Sequence, residues 1–82
     1  MSVQNIQSGD TVELRYRMSV GYPEQVVETT VVRVDGDDIY LKNPTEFERF
    51  DEYRLSDTGV LWVEFESGTV AREGYGAEIT PV

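Results

Sequence analysis

The stretch Thr11-Val12-Glu13-Leu14-Arg15-Tyr16-Arg17-Met18-Ser19-Val20 decides the fold of this chain. Apolar residues occupy every second position from Val12 to Val20, and polar or charged residues occupy the positions between them. A strict two-residue period over ten residues is typical of a β-strand with one buried and one solvated face. We therefore expect a mostly β protein whose first strand contributes Leu14 to the core.

A second strand is predicted at residues 25–35, after the strand-breaking turn Gly21-Tyr22-Pro23. This segment is rich in valine and threonine, the β-branched residues that favour strands. Its alternation is less regular, because Val26 and Val27 cannot both point inward without a bulge.

The turn Asp35-Gly36-Asp37-Asp38 predicts a hairpin, for which two registers are possible. If Asp35-Gly36 is the two-residue loop, Val34 faces Asp37. If Gly36-Asp37 is the loop, apolar residues face each other, and we prefer this register for that reason. Its pairs are Val34 with Ile39, Val32 with Leu41 and Arg33 with Tyr40.

Further strands are predicted at residues 53–56, 60–66, 69–72 and 77–80. Ser67-Gly68 is the hairpin loop between the second and third of these, and it places Phe65 opposite Val70. The segment Asn43-Pro44-Thr45-Glu46 carries a helix-capping pattern. Either a short helix or an irregular loop therefore precedes residue 53, and the sequence leaves both open.

These elements predict an all-β fold, a small half-open antiparallel barrel of five to six strands with at most one short helix. A flexible segment at residues 1–9 precedes a single domain at residues 10–82. The residues expected to be almost fully buried are Leu14, Val32, Ile39, Val63 and Phe65.

The opening Ser8-Gly9-Asp10-Thr11 and the hairpin around Gly36 resemble the small Src-homology-3-like barrels, including those of the KOW type. Many of these begin with a Gly-Asp-hydrophobic strand and continue with a hairpin tipped by Asp-Gly-Asp. The resemblance covers about half of the chain. It implies a small barrel, in a family that includes peptide-binding modules and barrels of translation and transcription.

Charge is the second informative feature of the chain, because sixteen acidic residues stand against seven basic ones and give a net charge of −9. Such a charge opposes compaction by self-repulsion, and molar salt screens it. Lys42 is the single lysine. The composition resembles that of small acidic proteins of halophilic archaea, which implies a high-salt cytoplasm.

Several classes of chemistry lack the residues they need. The chain has no histidine and no cysteine, so the commonest general base and the commonest transition-metal ligands are missing. The acidic turn around Gly36 lacks the ligand spacing of a calcium loop and is more simply a solvated hairpin. No segment has the length of a membrane span. We expect a cytoplasmic monomer that is not an enzyme and holds no cofactor or metal.

Two binding surfaces are predicted. Trp62 is out of phase with Leu61 and Val63, so it lies on the outer face. Either the segment 47–53 covers it there, or it forms a site for a protein partner with Phe50 and Tyr53. The alternative is an RNA- or ribosome-associated barrel, with nucleic acid the less expected partner. It would bind phosphate through Arg15, Arg17 and Arg33. The other interpretation of these arginines is cross-strand pairing with Glu13 or Glu28.

Overall fold

The computed structural model describes residues 6–44, 52–65 and 67–82, which form six β-strands and no helix. The strands are β1 (Thr11–Arg17), β2 (Glu24–Asp35), β3 (Asp38–Lys42), β4 (Glu52–Leu55), β5 (Leu61–Glu64) and β6 (Val70–Pro81). All neighbours are antiparallel, and β6 returns to pair with β1. The predicted all-β antiparallel barrel is confirmed, and it is closed rather than half-open.

The two longest strands close the barrel because each pairs with two neighbours in succession. The first half of β2 pairs with β1, and its last residues pair with β3. Likewise, β6 pairs first with β5 and then with β1. The hydroxyl of Thr29, the buried polar residue of the core, donates to the carbonyl of Lys42 where β2 passes from one neighbour to the other.

The faces of β1 are those that the alternation predicts. Val12 and Leu14 are fully buried and Tyr16 is 6% exposed, whereas the residues between them face outward. The expectation that the buried side continues to Val20 is wrong. The strand ends at Arg17, and the chain then turns away from the sheet.

The predicted β2–β3 hairpin is confirmed at its tip, where Val34 pairs with Ile39 and Arg33 with Tyr40. Gly36, the first loop residue, has a φ of 62°, as a type II′ turn requires. The expected Val32–Leu41 pair is wrong, because the register shifts next to Arg33 and brings Val31 opposite Leu41. This shift buries Val31 and leaves Val32 36% exposed.

One further expectation of register holds and one is wrong. The pairing of β1 with β2 runs without a shift from Glu24 to Thr30. Without a bulge, Val26 and Val27 do not both point inward, and Val26 stays half-exposed. Val70 lies opposite Glu64 rather than Phe65, because the chain leaves β5 at Glu64.

The core fills the inside of the barrel. Leu14 and Val63 are buried as predicted, whereas Ile39 and Phe65 are only partly buried and pack against its margin. The buried apolar residues are Val12, Leu14, Tyr16, Val31, Leu41, Tyr53, Leu55, Leu61, Val63 and Ala77.

Gly74 allows β6 to continue without interruption from β5 to β1, in place of the separate last strand that the sequence predicts. A Cβ atom at this position would lie 2.5 Å from Cδ2 of Tyr16 and 2.8 Å from the carbonyl oxygen of Arg17. Contacts this short require the backbone to move, so the close crossing of β6 over β1 depends on glycine.

The segment between β3 and β4 falls mainly on residues 45–51, outside the described residues. The choice between a short helix and a loop there stays open. At the other end, Ile6 packs against the core and the Gly9 amide donates to the carbonyl of Val31.

Candidate functional site

Four neighbouring strands present an alternation of arginines and aromatic rings on their outer face. Tyr40 in β3 pairs with Arg54 in β4, Arg54 pairs with Trp62 in β5, and Trp62 pairs with Arg72 in β6. Residues paired across neighbouring strands lie side by side on the same face of a sheet. The four side chains therefore form one continuous row.

The row extends at both ends. Arg33 in β2 pairs with Tyr40, and on β6 the guanidinium of Arg72 lies over the ring of Tyr75, which pairs with Arg17 in β1. We call this set the arginine–aromatic belt. Its members are, in order around the barrel, Arg33, Tyr40, Arg54, Trp62, Arg72, Tyr75 and Arg17.

Within the belt, three arginines lie over rings. The Cζ atom of Arg33 lies 3.8 Å from the ring centroid of Tyr40, and that of Arg72 lies 4.5 Å from the centroid of Tyr75. The corresponding distance from Arg54 to Trp62 is 5.8 Å. All three fall within the range of about 6 Å for attraction between a cation and a π-system. The rings thus hold the guanidinium groups in place on a partly exposed surface.

The belt arginines differ in their ionic partners. Nη1 of Arg33 lies 3.1 Å from Oε1 of Glu52, and Nη1 of Arg54 lies 3.7 Å from Oδ2 of Asp38. Among the described residues, no carboxylate lies within 4 Å of the guanidinium of Arg17 or Arg72. The belt arginines on β2 and β4 are therefore neutralised by carboxylates, whereas those on β6 and β1 have no ion-pair partner among the described residues.

Another part of the outer surface, which we call the acidic face, carries Glu13, Glu24, Glu28 and Glu78 around Arg15. Nη2 of Arg15 lies 2.8 Å from Oε1 of Glu13. The hydrogen bond to Glu13 is the main reason why the pKa of Arg15 is raised. Glu13 also lies directly opposite Glu28, an arrangement of like charges that destabilises a sheet.

Trp62 and Tyr53, two members of the predicted protein-binding cluster, lie on opposite faces of the sheet. Trp62 is partly exposed and lies opposite to the buried Leu61 and Val63, so its outward position is confirmed. Tyr53 is fully buried instead, because it alternates with the outward-facing Arg54 and points into the core. Phe50 lies outside the described residues.

Arg15 and Arg17 share the outer face of β1 as predicted, but Arg33 does not join them in one patch. Arg15 pairs with Val26, and Arg33 stands seven residues further along β2, a separation of about 23 Å at 3.3 Å per residue. Arg17 and Arg33 are the two ends of the belt, and Arg15 belongs to the acidic face. Arg17 pairs with Tyr75 on one side and with Glu24 on the other, so the belt meets the acidic face there.

Sequence reasoning missed Arg54 and Arg72. Arg54 is out of phase with Tyr53 and Leu55, and Arg72 with Ala71. Only the register across β4, β5 and β6 reveals that the two arginines flank Trp62.

Two tyrosines meet inside the barrel. The rings of Tyr16 and Tyr53 are edge-to-face, with centroids 6.5 Å apart. Burial raises the pKa of both hydroxyls, so they stay neutral far above pH 7. Burial also raises the pKa of the Glu73 carboxyl. The charge of Glu73 also contributes to the raised pKa of both tyrosines.

Among residues 6–44, 52–65 and 67–82, no group of acidic side chains is arranged to hold a metal ion. The same residues include no helix with the length and apolarity to cross a membrane. Comparison with family models, curated proteins and solved structures found no match for the chain.

Proposed function

We propose that this protein is a non-enzymatic binding module that recognises a protein partner through the arginine–aromatic belt. One observation carries the proposal: Trp62 lies on the outer face between Arg54 and Arg72, with tyrosines beyond both. Tryptophan, tyrosine and arginine are the residues enriched among those that dominate the energy of protein–protein interfaces.

The partial order of the belt supports binding. Fixing a long, flexible side chain costs roughly 0.5–1.5 kcal/mol when an interface forms. Arg33 is held both by the ring of Tyr40 and by the carboxylate of Glu52. A partner would therefore meet side chains that are already positioned, and part of this cost would be avoided.

Because the barrel is closed, a partner would bind to outward-facing side chains and not to a free strand edge. A partner strand can add to a sheet only where an edge is open, and each of the six described strands is paired on both sides. The resemblance to Src-homology-3-like barrels, which include peptide-binding modules, agrees with recognition on a surface of this kind.

The charge balance favours protein over RNA as the partner. A net charge of −9 repels a polyanion at low salt, and high salt weakens phosphate contacts. Asp38 and Glu52 already neutralise two of the belt arginines. An RNA- or ribosome-associated barrel is the competing function, because rings that alternate with arginines also bind single strands.

The proposed setting is a high-salt cytoplasm, with the protein acting as a monomer. Molar salt shortens the Debye length to about 3 Å and screens the repulsion of the acidic face. Apolar and ring contacts do not depend on long-range charge, so contacts centred on Trp62 would persist there.

Affinity capture from a lysate of the source cells tests this function. Trp62→Ala should abolish capture of a protein and keep the circular-dichroism spectrum, because a partly exposed ring contributes more to binding than to packing. Val26→Ala is the matched control, since Val26 is 50% exposed and lies beside Arg15 on the acidic face.

Two outcomes would overturn the proposal. If the Trp62→Ala variant still captures a protein, the belt is not the binding site. If ribonuclease treatment abolishes capture, the partner is bound through RNA. If Trp62→Ala unfolds the domain, Arg54→Gln and Arg72→Gln test the same surface without removing the ring.

A further inference from the structure

The described arginines fall into two groups. Arg15, Arg33 and Arg54 each have a carboxylate within 4 Å. Arg17 and Arg72 have none among the described residues, although the protein carries a large excess of acid. Arg17 stands opposite Glu24 in the β1–β2 ladder, but the ion pair of Glu24 is with Arg15. Among the described arginines, Arg17 and Arg72 are therefore the ones available to an anion from outside.

Arg17 and Arg72 flank the same ring. Arg17 is directly paired with Tyr75 across the β1–β6 ladder, and the Cζ atom of Arg72 lies 4.5 Å from the centroid of that ring. Nη1 of Arg17 donates to the carbonyl oxygen of Tyr22 at 2.6 Å. This bond anchors one nitrogen and leaves the other donors of the guanidinium fork for a ligand. We call the three residues Arg17, Tyr75 and Arg72 the seam.

An apolar rim lies beside the seam. The loop between β1 and β2 exposes Met18 by 47%, Val20 by 94% and Tyr22 by 54%. The hydrogen bond from Arg17 to Tyr22 fastens this loop next to the seam. Cations and aliphatic surface are thus adjacent at one end of the belt.

We infer that the seam accepts a carboxylate of the protein partner, presented next to an aliphatic side chain that packs on the β1–β2 loop. This inference rests on the proposed function and names the chemistry of the partner. Guanidinium groups bind carboxylates through paired, charge-assisted hydrogen bonds.

The rim distinguishes this partner from a nucleic acid. A phosphate in RNA is flanked by ribose and by further phosphates, which offer Val20 and Met18 no aliphatic contact. An acidic side chain between aliphatic ones satisfies both the seam and the rim.

Two capped pentapeptides probe the seam. One alternates leucine and glutamate, and the other has glutamine in place of each glutamate. Added to the ¹⁵N-labelled full chain, the glutamate peptide should shift the amide signals of Arg17, Arg72 and Tyr75. The glutamine peptide should bind at least about tenfold more weakly, the loss expected when charge-assisted hydrogen bonds become neutral ones.

Variants separate the seam from the rest of the belt. The double change Arg17→Gln with Arg72→Gln should remove the preference for the glutamate peptide, and Arg15→Gln should keep it, because Arg15 is already paired with Glu13. Equal melting temperatures of the three proteins at molar salt exclude unfolding as the cause.

The outcomes distinguish this inference from the proposed function. Equal binding of both peptides, or no shift at the seam, overturns the carboxylate site, and loss of capture in Trp62→Ala would still uphold the belt. A single-stranded oligouridylate that shifts the seam signals at lower concentration than the glutamate peptide also overturns it. If the Trp62→Ala variant still captures the partner, the proposed function is wrong, independently of the peptide result.

Discussion

The arginine–aromatic belt and the acidic face occupy the same barrel, and they use charge in opposite ways. On the belt, a ring or a carboxylate lies beside each of Arg33, Arg54 and Arg72. On the acidic face, Glu13 lies opposite Glu28, and Arg15 is surrounded by carboxylates. The belt is therefore ordered by specific contacts, whereas the carboxylates of the acidic face repel one another and depend on salt for screening.

The shared core should show the largest effect, because both surfaces depend on it. Leu14→Ala should lower the free energy of unfolding by roughly 2–5 kcal/mol, the usual result of emptying a fully buried leucine position. Arg15→Ala, one residue away on the acidic face, should cost well under about 1 kcal/mol, because an exposed ion pair contributes little. Denaturant titration of both variants measures this, and equal small costs would show that the faces of β1 are assigned wrongly.

Salt should change the stability of the whole protein next most strongly. The Debye length falls from about 30 Å at 0.01 M to about 3 Å at 1 M salt, so molar potassium chloride should remove most of the repulsion among the carboxylates. We expect the melting temperature to rise markedly across this range. A flat melting temperature would remove the argument for a high-salt cytoplasm.

Single glutamate substitutions on the two surfaces should change the stability of the protein in opposite directions. Glu28→Gln removes the like charge opposite Glu13 and should stabilise the protein at low salt by a few tenths of a kcal/mol. Glu52→Gln is the matched change on the belt, and it should destabilise slightly, because Arg33 loses its carboxylate. Both differences should shrink in molar salt, and the same sign for both variants would contradict the comparison.

The smallest effect concerns Glu73, where β6 passes from the belt to the acidic face. Burial raises the pKa of its carboxyl in the folded protein, so the protonated form is favoured by folding. Its contribution to stability is present below the unfolded pKa and is lost as the pH rises through the folded pKa. Glu73→Gln should therefore melt higher than the parent at neutral pH, and melting curves should converge at acid pH. An advantage of similar size at acid pH would contradict this assignment.

The sequence predicts the strands and the best-patterned faces because their information is local. The alternation of β1 and the Gly36 turn need only neighbouring residues. The register of β2 with β3 is different, because a shift next to Arg33 exchanges Val31 and Val32 and no local pattern reports it.

The candidate site shows the same division. The outward position of Trp62 follows from its own strand. The prediction that Tyr53 joins it is wrong, because Tyr53 alternates with Arg54 and faces inward together with Leu55. The neighbours Arg54 and Arg72 come from other strands. Only the pairing across β4, β5 and β6 brings them to the same row.

A map of amide shifts with a captured partner tests the belt most directly. The ¹⁵N-labelled chain would be titrated with the partner at molar salt, where long-range charge is screened. We expect shifts at Tyr40, Arg54, Trp62 and Arg72, with Glu13, Val26 and Glu28 unchanged. Shifts confined to the acidic face, with the signals of the belt unmoved, would contradict this expectation.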